Sequence, residues 1–227
     1  MSLRGIASGA PPRRSSTASS ACSSMPNLLL IRHAESVGNA ERRLQGQGDF
    51  PLSERGVDQA RLLAQRLSIT ERLVALYASP LLRTRQTAEI VAEAVHLPVQ
   101  FIDDLCEYDF GEASGLTWTE IGQRYPDLLA AVRARTSEYP PYPGEEGRDA
   151  FRNRVCQAVW SLCDCYPEGA SVAAITHAGP IVVSCLEVLG LPYQRPAAFA
   201  VENCSITTIE LRDNRAVLVS VNDTCHL

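Results

Sequence analysis

Lysine is missing altogether from the 227 residues, and all 21 basic side chains are arginine. A Walker-type phosphate loop and a Schiff-base nucleophile both need an ammonium, so P-loop NTPase, aldolase-like and pyridoxal chemistry are excluded. Any phosphate this chain holds must be held by Arg, backbone N–H groups or His, and the planar guanidinium fork suits bidentate phosphate contact. A surplus of positive charge is missing too. The net charge of −5 and the pI near 5.4 argue against wholesale binding to nucleic acid or an anionic membrane, which draws on basic patches. A small soluble substrate fits better. The eight cysteines contain no C-x-x-C pair, and only Cys163 and Cys165 stand close together. Two soft ligands alone rarely make a metal site, so neither a metal nor a cofactor is expected. Most of the cysteines read as small buried hydrophobes. With no hydrophobic signal segment at the start, a reducing cytoplasm with free thiols is the default compartment.

What is present reads as one globular domain. A composition of 45% apolar and 21% charged residues over this length supports one substantial core. Residues 1–25 are rich in Ser, Ala, Arg and Pro without an apolar period and read as a disordered leader, which leaves a single domain over 26–227. From Asn27 the pattern changes to the apolar run Leu28-Leu29-Leu30-Ile31, as in buried parallel strands. Further strands are expected over Leu73–Ala78, Val99–Ile102 and Ser171–Thr176. Helices are expected over Ser53–Leu67 with Ser53 as N-cap, Leu82–Val95, Arg148–Tyr166 and Pro180–Leu189. Ser205–Leu211 and Ala216–Val221 flank Asp213-Asn214-Arg215 as a hairpin. This alternation predicts a three-layer α/β domain with a mostly parallel sheet, an antiparallel edge and helices on both faces.

Ligands of open α/β sheets bind at the carboxyl ends of strands. The first strand here runs into Arg32-His33, the second into Ser79-Pro80-Leu81-Leu82-Arg83, and a later one into Thr176-His177-Ala178-Gly179. Three strand ends thus converge on two imidazoles and two guanidiniums, with no G-x-S-x-G elbow.

Arg32-His33-Ala34-Glu35-Ser36 resembles the R-H-G-E-[ST] signature of the histidine phosphatase superfamily, the group that includes the phosphoglycerate mutases. Asn39, Gln45-Gly46-Gln47-Gly48-Asp49-Phe50-Pro51-Leu52-Ser53, Gly56 and Gln59-Ala60 follow in the family's order and spacing. Ala78–Ala88, Glu107 with Asp109-Phe110-Gly111, and Thr176-His177-Ala178-Gly179 match its later motifs, so the resemblance runs from about Leu28 to Leu211. There are departures. Ala34 and Ala178 stand where glycine is commonest, and Pro143-Gly144-Glu145-Glu146-Gly147 only partly matches P-G-G-E-S. Gly38 replaces a frequent tryptophan before Asn39, which implies a wider substrate entrance.

The chemistry is coherent without the family. A neutral imidazole can attack phosphorus in line if the repulsion of the phosphate's charge is neutralised, and Arg32 and Arg83 supply that charge. His33 is the nucleophile, and His177 can donate to a non-bridging oxygen. The resemblance implies the same roles, an alcohol-protonating role for Glu107 with Asp109 or Glu112 as local substitutes, and a phosphate hydrogen bond from Asn39. Each residue has a plainer reading. A lone His at a strand end is more often a satisfied polar group, Arg83 could be charge on an exposed helix start beside Arg85, and Glu107 lies in an acidic run that could be a solvated loop. His96 and His226 read as partnerless surface residues.

The expected function is phosphomonoester hydrolysis on a small metabolite through a phosphohistidine. A phosphoglycerate mutase would use the same pocket. The segment from Glu107 to Pro143 is short, however, and lacks the Lys-bearing insertion with which mutases of the family hold the substrate carboxylate. A non-catalytic phosphoester-binding protein is the rival of another class, and retention of every catalytic residue type argues against it. Tyr139-Pro140-Pro141-Tyr142 is expected to contribute to the pocket cover.

Overall fold

A run of apolar residues without polar alternation can sit in a sheet only where both faces are covered. In the computed structural model, which describes residues 27–134, 140–162, 166, 170–192, 199–212 and 215–227, two such runs lie at the centre. Six strands, β1 (Asn27–Arg32), β2 (Leu73–Ala78), β3 (Val99–Phe101), β4 (Ser171–Thr176), β5 (Ile206–Arg212) and β6 (Arg215–Asp223), are arranged in the order β3-β2-β4-β1-β5-β6. The first four of that order are parallel, and β5 and β6 form the antiparallel edge. The leader and the turn residues Asp213 and Asn214 lie outside the described residues.

Period-2 side-chain alternation divides the core between two faces. Leu28, Leu30, Val172 and Ala174 pack with α6 (Arg148–Ser161) and α7 (Ala178–Val188) through Phe151, Val155, Val159, Ile181 and Cys185. Leu29, Ile31, Ala173 and Ile175 point the other way, onto α2 (Glu54–Thr70) and α3 (Leu82–Val95) through Leu63, Leu67, Ala88 and Val91. The three layers follow directly.

Ser53 caps α2 as expected, accepting from Gly56 N–H at 3.0 Å. The helix expected over Arg148–Tyr166 instead ends at Ser161. There the Ser161 hydroxyl donates to Ala158 O at 2.7 Å. Tyr166 lies outside the helix, with its hydroxyl 2.5 Å from that of Tyr77, and Cys163, Asp164 and Cys165 are not among the described residues. Helix α7 starts at Ala178, two residues earlier than expected, because proline is tolerated in a first turn that needs no N–H from it. The short α1 (Val37–Ala40), α4 (Trp118–Arg124) and α5 (Pro126–Arg133) have no counterpart in the expected elements. A Thr117–Glu120 capping box and Pro126 in the first turn of α5 mark the latter two.

Candidate active site

β1 and β4 are neighbours in register, with Arg32 opposite Thr176, so the residues that follow them, His33 and His177, emerge side by side. The backbone N–H of His33 continues the ladder to Thr176 O at 2.9 Å, and the two rings stand 5.1 Å apart, edge to face. Both imidazoles are buried. Burial first, then the positive charges of Arg83 and Arg32, push the His33 pKa well below its ordinary value. Burial first, then Arg83 and His33, do the same for His177. The His33 ring is therefore neutral with one proton, and its location is decided by a carbonyl. His33 Nδ1 lies 2.7 Å from Ala34 O, which can only accept, so Nδ1 carries the proton and Nε2 keeps a free lone pair.

Two guanidiniums flank the rings. Arg83, only 1% exposed at the start of α3, donates from its two terminal nitrogens to Gly46 O at 2.7 Å and Gly48 O at 2.8 Å. Arg32 donates to Val201 O at 2.6 Å. Among the described residues, Nε of both arginines and Nδ1 of His177 are buried without a partner. Burial pulls the Arg83 pKa down to about 10, a value at which the group is still charged at neutral pH. Its neighbour Arg85 is exposed and lies over the Phe101 ring, away from this cluster.

Glu107 joins the same constellation. Its carboxylate accepts from Tyr108 N–H at 2.9 Å and from Gly179 N–H, in the first turn of α7, at 3.2 Å. Its charge acts on both Arg32 and Arg83. A Cβ at Gly179 would run into this carboxylate, so the close approach requires glycine there. The two substitutes are engaged elsewhere: Asp109 accepts from Gly111 N–H at 2.8 Å, and Glu112 from the Tyr125 hydroxyl at 2.9 Å.

Asn39 belongs to a layer behind the rings. Its Oδ1 accepts from Ser36 N–H at 3.2 Å and Asn203 Nδ2 at 3.2 Å, leaving its own amide N–H groups as the donors. Asn203 donates as well to His33 O at 3.0 Å, tying the His33 backbone to Asn39. Nothing in the sequence singles out Asn203. It lies far down the chain and comes to the site only because β5 pairs with β1. Arg154 and Glu146 are equally hidden. Arg154 donates to the carbonyls of Asp104, Cys106 and Glu107 at 2.9 to 3.0 Å and pairs bidentately with Glu146, so it clamps the segment that carries Glu107.

Three expectations are corrected here. The space beside Gly38 is filled: a Cβ there would lie 2.7 Å from the Gln45 carboxamide, which itself accepts from Ser36 Oγ at 2.7 Å, so no wider entrance results. Tyr142 is buried against Phe110, with ring centroids 5.2 Å apart, and belongs to the core; Tyr139 lies outside the described residues. His226 is not partnerless, since Arg66 donates to its Nδ1 at 3.0 Å.

The neutral rings have a consequence for stability. For a histidine held below its ordinary value, the unfolded chain binds the extra proton, so stability is fully present above about pH 6.5 and is lost as pH falls toward the depressed folded value. Urea unfolding followed from pH 8 to pH 5 should show stability falling below pH 6.5, by up to about 1.4 kcal/mol per pH unit for each ring. A flat profile would show that the rings are not held neutral.

Among the described residues, no helix is long and apolar enough to cross a membrane, and no three His, Cys, Asp or Glu side chains are grouped to hold a metal. Residues 28–224 match the family model described as histidine phosphatase superfamily, branch 1. Phosphoserine phosphatase 1 of Hydrogenobacter thermophilus is 36% identical over 206 residues, covering 89% of this chain and 95% of the relative. "Probable phosphoglycerate mutase GpmB" of Salmonella choleraesuis is 33% identical over 218 residues, covering 89% and 95%. The solved structure of Bacillus stearothermophilus YhfR superposes with a TM-score of 0.80 at 30% identity, covering 88% of this chain and 98% of that one. The matched family and the paired strand-end histidines agree: this chain belongs to branch 1 of the histidine phosphatase superfamily.

Proposed function

We propose that the chain is a cofactor-independent phosphatase that hydrolyses a small phosphomonoester through a phosphohistidine on His33. The observation that carries this reading is the state of His33: a neutral ring whose Nδ1 proton is committed to a carbonyl, with its Nε2 lone pair set among two arginines and a second imidazole. Nε2 attacks phosphorus, the N–P bond forms, and the bond to the ester oxygen breaks. Arg32, Arg83 and His177 hold the phosphoryl oxygens, with a further hydrogen bond from Asn39. Glu107 takes up the proton that the phosphomonoester monoanion brings and gives it to the leaving alcohol; it then takes one from the water that cleaves the N–P bond and returns it to the departing phosphate, and the lone pair is restored. The described cysteines are all free thiols, which fits a reducing cytoplasm.

The mutase reading keeps one supporting observation, the resemblance to GpmB, and differs only in the second acceptor. A panel of phosphorylated metabolites separates the two, with phosphoserine first because a relative is named for it. The expected result is inorganic phosphate released to water at a rate unchanged by excess chelator, since the two guanidiniums already supply the positive charge. Return of an isomerised ester would favour the mutase. Complete loss under chelation, restored by metal, would overturn the mechanism.

A further inference from the structure

The tautomer of His33 is set by a carbonyl, but His177 has no such partner. Its Nε2 lies 3.0 Å from the hydroxyl of Ser79, an atom that can either give or take a proton. Ser79 is fully buried just past the end of β2. Two other groups approach its oxygen: the Leu81 N–H, which can only donate, and the Cys106 thiol, both at 3.4 Å. No carbonyl among the described residues accepts from it, so the Ser79 proton goes either to sulfur or to imidazole nitrogen. Sulfur is the weaker acceptor. Burial also raises the Cys106 pKa, so the thiol keeps its own proton and can act as a donor to Ser79.

We propose that Ser79 is a positioning residue for phosphoryl transfer: its hydroxyl donates to Nε2 of His177, fixes that ring as the Nδ1–H tautomer, and so makes the buried, otherwise unpartnered Nδ1 a hydrogen-bond donor to the phosphoryl group. The opposite tautomer would present a lone pair to an anion at Nδ1 and leave the Ser79 proton only a sulfur. A neutral ring has one proton to place, and a partner on one nitrogen decides which nitrogen holds it. Cys106-Ser79-His177 is thus a short polar chain reaching from the Glu107 segment to the phosphate donor. The proposal rests on the reading of His177 as that donor.

The test is spectroscopic. Protein labelled with ¹⁵N-histidine is examined at pH 8 by two-bond ¹H–¹⁵N correlation, with the His177 signals assigned by their loss in His177→Ala. Wild type should show a protonated Nδ1 and a bare Nε2. Ser79→Ala should gain protonated Nε2 and lose roughly 10-fold in kcat with KM little changed, less than the ~10²- to 10³-fold cost of removing a preorganised donor outright. Ser79→Thr, which keeps the hydroxyl, should stay close to wild type in both. A protonated Nε2 in wild type, or an unchanged kcat in Ser79→Ala alongside a severe His177→Ala defect, overturns the role of Ser79 alone. Wild-type turnover by His177→Ala instead overturns the donor reading, and the positioning role with it.

Discussion

Replacing His33 by Ala should abolish turnover and leave no phosphoenzyme to trap. The two parts belong together because the imidazole is assigned as the atom donor of a covalent bond, and removal of such a nucleophile typically costs about 10⁴-fold or more. Quenching in base preserves an N–P bond that acid would cleave. Wild type should therefore carry trapped phosphate during turnover, His33→Ala none, and Glu107→Gln an increased amount with a good leaving group, since only its water step is then slowed. The substitution removes a ring that contacts Ala34 O and the His177 ring, and the Ala34 N–H bond to Thr87 Oγ1 at 3.1 Å does not involve that ring, so the site should keep its backbone. Phosphate found on Ser or Asp, or substantial turnover by His33→Ala, would make the central reading wrong.

Arg83→Lys should lose activity and stability together. Removing one preorganised transition-state donor costs roughly 10²- to 10³-fold in rate. The guanidinium also holds Gly46 O and Gly48 O, and a buried carbonyl left short of its partner costs about 1–3 kcal/mol. An ammonium cannot span two carbonyls and still offer a separate N–H edge to phosphate. The burial that draws Arg83 down to about 10 would draw a lysine, which starts lower, closer to neutrality, so the variant's remaining activity should decline as pH rises. Melting temperature and kcat/KM across pH test both halves. A rate within threefold of wild type with a lowered melting temperature would reduce Arg83 to a structural anchor.

Much of this was legible in the sequence for local reasons. The apolar runs of β1 and β4, the Ser53 cap and the residues immediately after strand ends depend on neighbours close in the chain, and the strand-end motifs bring His33, Arg83 and His177 to the carboxyl ends of the parallel strands. Other features were not legible because they depend on pairing between distant segments. Asn203 reaches His33 across 170 positions, and Arg154 reaches the Glu107 carbonyl across 47. The filling of the space at Gly38 by Gln45 depends on a side chain folding back over its own loop, which no residue type announces.

The register of β1 against β4 carries one more implication. Because the two imidazoles sit one residue past a paired Arg32 and Thr176, their separation is the spacing of adjacent strands, written in backbone hydrogen bonds instead of side-chain packing. The loops that carry Gly46, Glu107 and Val201 reach Arg83, Gly179 and Arg32 through hydrogen bonds outside that ladder. Those loops can diverge, or be redesigned, while the distance between His33 and His177 stays as it is.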